Sequence, residues 1–198
     1  MSTTPLQKLL AWRRSVRRYA PRPLSDKDIL SLMAAARLAP SAENAQPCRF
    51  IAVRDPDARA SLARASLSGL FSHTRFAAQA PLIIALCADR SGTAARAMAV
   101  KDKAMYQLDC GIAGEHLVLR AAELGLGTCW IGWFNRRAAR AALGVPRGVE
   151  VVCLIAVGYP AADTAPRPRP RKPLASIVWL DSWSRPFPGA DSYEEREK

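Results

Sequence analysis

A helix that is apolar around most of its circumference constrains this fold more than any other segment. The segment runs from Met105 to about Leu124, and Gly125 and Gly127 end it. Its apolar positions are Met105, Leu108, Ile112, Leu117, Leu119, Ala121 and Leu124. Because a helix of this kind has little polar surface to leave in water, we predict that it lies at the centre of the domain.

Two continuous apolar runs predict strands that are covered on both faces. They are Pro81–Cys87 and Val149–Val157. A shorter strand is predicted over Phe50–Val53, after a loop that ends at Pro47. Helices and strands do not alternate strictly, which favours an α+β layered domain over a doubly wound parallel sheet.

Capping residues and apolar spacing predict the remaining helices. They are Pro5–Trp12, Ser25–Ala39, Asp55–Leu67 and Arg136–Leu143. Four segments look less regular. They are a loop or irregular helix over Ser68–Ala80, a polar connection over Asp89–Lys103, a tight passage over Ile131–Phe134, and an extended Pro- and Arg-rich linker over Ala161–Pro173. A final apolar strand or arm is predicted over Ser176–Leu180.

The length of 198 residues suits a single domain, here 1–198, with an extended C-terminal arm over about 161–198. No apolar run approaches the roughly 20 residues of a membrane helix. Met1–Leu10 does not resemble a secretory signal, so we expect a cytoplasmic protein without a membrane partner.

The formal net charge of +12 raises the hypothesis of a nucleic-acid-binding protein. However, the basic residues are spread along the chain, and no helix-turn-helix, zinc-finger or RNP-like signature is present. An arginine-rich surface is the preferred interpretation. A non-catalytic polyanion-binding protein remains the less favoured alternative.

The five cysteines are Cys48, Cys87, Cys110, Cys129 and Cys153. Their odd number, wide spacing and lack of a CxxC pair predict neither a disulfide framework nor a metal site. We interpret most of them as small buried apolar residues.

Two polar segments near the start predict a binding site for a nucleotide-like cofactor. Arg13–Arg18 holds four guanidiniums, whose fixed donors match phosphate oxygens. Pro40–Pro47 is a proline-bracketed loop with Asn44 and Gln46, whose amides suit the edge of a heterocycle. The chain has neither GxGxxG nor GxxxxGK[ST], so a dinucleotide or P-loop fingerprint is absent.

The order of five segments resembles the FMN-dependent nitroreductase family over about residues 5 to 180. The matching segments are Arg13–Tyr19, Ala39–Phe50, Asp109–Gly132, Ile155–Pro160 and Arg171–Leu174. The resemblance implies a three-layer domain with a central mixed or antiparallel sheet flanked by helices. It also implies an intertwined homodimer with FMN in a cleft between two chains.

The resemblance also implies which residues bind FMN. The first flavin segment matches Arg13, Arg14, Ser15 and Arg17. The segment that reaches the flavin from the partner chain matches Pro40, Ser41, Ala42 and Asn44, with Gln46 on the same loop. The stretch along the ring matches Trp130, Ile131, Gly132 and Trp133, and a second phosphate-binding element matches Arg171 and Lys172.

For each of these segments a structural interpretation stays open. Arg13–Arg18 could be a solvated helix end, and Pro40–Pro47 only a helix stop and a turn. Trp130 and Trp133 could be core aromatics. Arg171 and Lys172 could simply be exposed.

The activity that the resemblance implies is FMN-dependent oxidation of NADH or NADPH. Reduction of a nitroaromatic, a quinone or a similar electron-poor small molecule would follow in a ping-pong cycle. The flavin carries this chemistry, so no catalytic side chain and no metal are predicted. Enone reduction, dehalogenation or consumption of the flavin itself are alternatives on the same fold.

Two departures from the family concern the substrate side. Cys48 stands where the family often has Trp after the Gln-Pro pair. Ser68–Lys103 offers no polar or cationic residue that matches the flavin contacts some members make there.

Overall fold

The computed structural model describes residues 4–91, 105–163 and 170–193. Its α-helices are α1 (Pro5–Trp12), α2 (Asp26–Arg37), α3 (Pro56–Ser66), α4 (Met105–Glu123) and α5 (Arg136–Ala142). Its strands are β1 (Cys48–Val53), β2 (Leu82–Asp89), β3 (Gly127–Ile131) and β4 (Val149–Gly158). Short 3-10 segments cover Ala42–Asn44, Gly69–Gln79 and Leu174–Ser176.

The four strands form one antiparallel sheet in the order β1-β2-β4-β3. Consecutive side chains of a strand point to opposite faces of a sheet. Accordingly, Ile83 of β2 lies in a core with Leu62 of α3 and Ala139 of α5. Its neighbour Ile84 lies in a second core with Leu32 of α2 and Leu117 of α4. The sheet is therefore the middle of three layers, which confirms the predicted α+β class and the antiparallel alternative for the sheet.

Helix α4 forms much of one outer layer against the sheet, rather than lying at the centre of the domain as its apolar pattern predicted. Leu117, Val118 and Ala121 are fully buried against the sheet. Leu108, which the apolar pattern included, is 59% exposed in the single chain. The helix therefore has one buried stripe and one apolar position that the chain's own core does not cover.

Residues 12–164 form the unit that contains the sheet, and residues 1–11 with 165–198 form a second unit. In the second unit, Thr4 and Gln7 cap α1 reciprocally, each backbone N–H donating to the other's side chain. Near the C-terminus, Trp179 stacks on Trp183 with ring centroids 4.1 Å apart.

Most predicted elements are confirmed, with two errors. Strand β3, which covers Gly127–Ile131, was not predicted; it lies between the predicted helix end and the passage predicted over Ile131–Phe134. The strand alternative for Ser176–Leu180 is wrong, because the described chain there has a 3-10 turn and then a single bridge from Trp179 to Pro186.

The remaining predictions concern irregular segments. The irregular helix expected over Ser68–Ala80 is a 3-10 segment. Residues 92–104 of the predicted connection and 164–169 of the predicted linker lie outside the described residues. Among the described residues, none of the helices combines the length and hydropathy needed to cross a membrane.

Candidate functional site

The segment that carries the arginine cluster lies along the edge of the sheet beside β3. The backbone N–H of Val16 donates to the carbonyl of Thr128 at 2.8 Å, and Ser15 forms a parallel bridge with Thr128. A Cβ at Gly127 would lie 2.6 Å from Val16 Cγ2, so only glycine allows this close approach. The sequence around Arg13–Arg18 is thereby fixed to the strand that leads to Trp130.

Tyr19 holds the same segment from inside the core. Its hydroxyl donates to the carbonyl of Val16 at 2.5 Å, and it is only 9% exposed. Burial raises the pKa of Tyr19 well above its usual range. The phenol therefore stays protonated at neutral pH and can donate this hydrogen bond.

The arginines of this segment differ in their surroundings. The Nε of Arg13 lies 3.5 Å from Glu115 Oε1 on α4. Arg17 is exposed, and its guanidinium carbon lies 5.8 Å from the centroid of the Phe76 ring. Within the described residues Arg17 pairs with no carboxylate, so its donors are available to an anion.

The predicted ring-contacting stretch begins at the end of β3. The half-buried Trp130 indole lies against α4, where a Cβ at Gly114 would collide with it. Ile131 is buried in the core, whereas Gly132 is exposed with nothing within 4 Å of where its Cβ would stand. The backbone at Gly132 is therefore open to a flat ligand, and Trp130 serves chiefly as core.

Trp133 belongs to a small aromatic cluster with Phe71 and His73. It is 60% exposed, and its ring centroid lies 5.8 Å from that of Phe71 and 6.4 Å from that of His73. Its Nε1 donates to the carbonyl of Leu70 at 3.5 Å. The sequence analysis assigned no binding role to Phe71 or His73, although the aromatic residues of this segment were the available signal.

The Pro40–Pro47 loop has an unusual backbone. Glu43, Asn44 and Gln46 have φ values of 52°, 51° and 45°, in the left-handed region that non-glycine residues rarely adopt. Such backbone conformations cost energy and cluster at functional sites. Sequence reasoning located this loop but could not foresee its conformation.

Hydrogen bonds that involve side chains help to fix the loop. Ser41 Oγ accepts from the Gln46 backbone N–H at 2.9 Å, and Gln46 Nε2 donates to Asn44 Oδ1 at 3.0 Å. The backbone N–H of Ala42 donates to Oδ1 of the buried Asp109 at 3.1 Å. Asn44 and Gln46 stay exposed, so the loop presents amide groups on a fixed frame.

A cavity of about 330 Å³ opens beside this loop. Its polar or ionisable lining residues are Arg37, Ser41, Gln46, Cys48, Arg49 and Asp109. Arg49 also donates to the carbonyls of Gln46 and Cys48 and pairs with Asp89. Asp109 lay in a matched segment, but sequence reasoning gave it no role, and its partner Ala42 is identified only by the fold.

The two predicted halves of the site lie at opposite edges of the sheet. The loop precedes β1, and Trp133 follows β3; both lie at the end of the sheet where β4 begins. Three strand spacings separate these edges, or about 14 Å. The structure thus places the Arg13–Arg17 segment beside β3, the strand that holds Trp130 and Ile131, and leaves the Pro40–Pro47 loop at the other edge.

Arg171 and Lys172 belong to the second unit and are exposed. Their assignment to a phosphate site stays a prediction.

Comparison with known proteins identifies the family. The sequence profile described as Nitroreductase family matches residues 10–159. This chain belongs to the nitroreductase family. The predicted resemblance is confirmed, and the chain is accordingly an oxidoreductase of the NAD(P)H nitroreductase kind.

Individual relatives of this nitroreductase-family enzyme agree. An Archaeoglobus fulgidus protein, provisionally named NADH dehydrogenase/NAD(P)H nitroreductase, is 35% identical over 157 residues, 77% of this chain and 84% of the relative. A 5,6-dimethylbenzimidazole synthase of Rhodospirillum rubrum is 29% identical and covers 92% of both chains. The structure of an FMN-dependent nitroreductase from Clostridium difficile superposes with a TM-score of 0.72 at 27% identity, covering 88% of this chain and 98% of that one.

Proposed function

We propose that this protein is an FMN-dependent oxidoreductase that takes hydride from NADH or NADPH and reduces an electron-poor acceptor such as a quinone or a nitroaromatic. Family membership supports the reaction type, and the similarity to an FMN-dependent enzyme supports the cofactor. Bound FMN would accept the hydride and then pass the electrons to the acceptor. The protein supplies binding, orientation and electrostatics.

The residues present fit FMN by the chemistry of their donors. The guanidinium of Arg17 is exposed and without a carboxylate partner among the described residues, which suits the anionic parts of the cofactor. It would lie near the pyrimidine edge, while Arg13, Arg14 and Ser15 hold the phosphate end. The open backbone of Gly132 would face the ring, and the exposed face of Trp133 could stack against a flat acceptor.

The position of the Pro40–Pro47 loop supports the proposal that each site is formed by residues of two chains. Asn44 and Gln46 precede β1, whereas Arg17 lies beyond β3 at the opposite edge of the sheet of their own chain, so at least three strand spacings, or about 14 Å, separate them. A homodimer in which the loop of one copy reaches the β3 edge of the other would complete each site. The exposed Leu108 on α4 offers apolar surface for such an interface.

Titration with FMN tests the cofactor. We expect a yellow complex, NAD(P)H oxidation with a quinone or a nitroarene, and at least tenfold weaker FMN binding in Arg17→Ala. Arg54→Ala is the matched control, because Arg54 is an exposed arginine that pairs with Asp26. A protein that binds no flavin after reconstitution and oxidises no nicotinamide would contradict the proposal.

Subunit complementation tests the shared site. Arg17→Ala and the double variant Asn44→Ala/Gln46→Ala should each be impaired as homodimers. A mixed dimer would place all the lesions in one site and leave the other intact, so unfolding and refolding the variants together should restore activity. If mixing restores nothing, the site is formed within one chain.

A second candidate is synthesis of 5,6-dimethylbenzimidazole, favoured by the relative that covers 92% of both chains. That product contains a dimethyl-substituted benzene ring with nitrogens on two adjacent ring carbons, a fragment that FMN also contains. Chromatography of a reaction with FMN, NADH and oxygen would separate the candidates, because an acceptor reductase leaves the flavin intact.

A further inference from the structure

Two cysteines that are far apart in sequence meet beside the Pro40–Pro47 loop. Cys48 is the first residue of β1, and Cys110 lies in the second turn of α4. Their sulfur atoms are 3.6 Å apart. Cys48 is half-buried and lines the 330 Å³ cavity, whereas Cys110 is fully buried behind it.

The two thiols are electrostatically unequal. The hydrogen bond between the two thiols lowers the pKa of Cys48, and Arg49 favours the same thiolate. That hydrogen bond, together with burial, raises the pKa of Cys110. The first proton therefore leaves the sulfur that faces the cavity, where a small oxidant can reach it.

A disulfide requires the two sulfurs to close from 3.6 Å to roughly 2 Å. Cys110 is held in a long helix, but Cys48 follows a loop with three left-handed residues and lies on an edge strand. We therefore expect Cys48, rather than Cys110, to move when the sulfurs close.

We propose that Cys48 and Cys110 form a peroxide-sensitive dithiol whose oxidation to a disulfide fastens the Pro40–Pro47 loop to α4. In the first step the Cys48 thiolate attacks a hydroperoxide such as H2O2. An S–O bond forms, the O–O bond breaks, and protonation of the leaving oxygen releases water. In the second step the Cys110 sulfur attacks the Cys48 sulfenic acid, the S–S bond forms, and a second water leaves with the Cys110 proton.

The disulfide would restrain the loop because the hydrogen bond between Ala42 and Asp109 lies next to it. Ala42 is already hydrogen-bonded to Asp109, so residues 42 and 48 would be held by two consecutive residues of α4. Asn44 and Gln46 lie between these anchors. Oxidation should therefore slow local opening of the part of the loop that carries both amides.

Thiol counting on the wild-type protein is the direct test. Treatment with a modest excess of H2O2, followed by denaturation, should lower the number of titratable thiols from five to three. Peptide mapping should join Cys48 to Cys110, and dithiothreitol should reverse the change. Hydrogen exchange at the backbone N–H groups of Asn44 and Gln46 should slow by severalfold in the oxidised protein.

Alanine variants of single cysteines test which thiols form the crosslink. Cys48→Ala and Cys110→Ala should each abolish the crosslink, while Cys153→Ala, at another nearly buried cysteine, should leave it intact. A sulfinic acid at Cys48 without a crosslink, a disulfide between two chains, or an unchanged thiol count would each overturn the proposal. None of these readouts requires flavin, so failure here is distinguishable from failure of the proposed activity.

Discussion

The backbone N–H of Ala42 donates to the carboxylate of Asp109 across 3.1 Å, and this bond ties an exposed loop to a buried helix. Asp109 is only 5% exposed. A buried carboxylate needs hydrogen-bond donors, and here the loop backbone supplies one. The loop that carries Asn44 and Gln46 is therefore oriented by a residue 67 positions away.

Replacing Asp109 should loosen this loop. Asp109→Ala removes the acceptor and should cost about 1–3 kcal/mol of unfolding free energy. If FMN binding must supply about 1.4 kcal/mol of this lost free energy to order the loop, the affinity for FMN should fall about tenfold. Asp109→Asn retains an acceptor oxygen and should lose less. Denaturant unfolding and flavin titration provide both numbers, and equal losses in the two variants would contradict this role.

Two glycines of α4 should respond in opposite ways to alanine. In Gly114→Ala the new methyl meets the Trp130 indole, and the overpacking should cost about 1–3 kcal/mol. Gly111 has nothing within 4 Å of its Cβ direction, so Gly111→Ala should stabilise the subunit by up to about 1 kcal/mol. Unfolding curves and the Trp fluorescence spectrum check both, alongside the oligomeric state.

Tyr19→Phe should loosen the arginine segment. The substitution keeps the ring but leaves the buried Val16 carbonyl without its 2.5 Å donor. We expect a loss of about 1–2 kcal/mol in unfolding free energy. Tyr193→Phe, at a 63% exposed position, is the control and should change nothing measurable. A neutral Tyr19→Phe would show that the hydroxyl does not hold this segment.

The pH dependence of Cys48 alkylation should reveal its partner. Iodoacetamide reacts with the thiolate, and the lowered pKa of Cys48 should place its reaction midpoint below that of an ordinary thiol. Cys110→Ala removes the hydrogen bond, so the pKa rises and alkylation near neutral pH slows. Cys153→Ala should leave the midpoint unchanged. A midpoint indifferent to Cys110 would mean that this hydrogen bond does not set the pKa.

The sequence predicted the elements whose signals are local. Apolar runs marked β2 and β4, Ser25 marked the start of α2 by capping it, and apolar spacing marked α4. Strand β3 was missed because it is short and begins at Gly127, where a helix-ending signal was also present. Gly127 is required by its approach to Val16, a contact that no local pattern shows.

The sequence predicted which segments belong to the site but not how they are arranged in space. Donor chemistry and segment order indicated the arginines and the amide loop. The placement of the loop at the far edge of the sheet depends on strand order, which a single sequence does not display. The contacts of Cys48 with Cys110 and of Ala42 with Asp109 likewise depend on how α4 crosses the sheet.

Asp109 and Glu115 stand six positions apart on α4, a rise of about 9 Å. One contacts the amide loop, and the other contacts Arg13. A tilt of α4 would move the carboxylates of Asp109 and Glu115 together. In the homodimer proposed above, where each site uses residues of both chains, ligand binding that tilts α4 at one site would also displace residues of the other site.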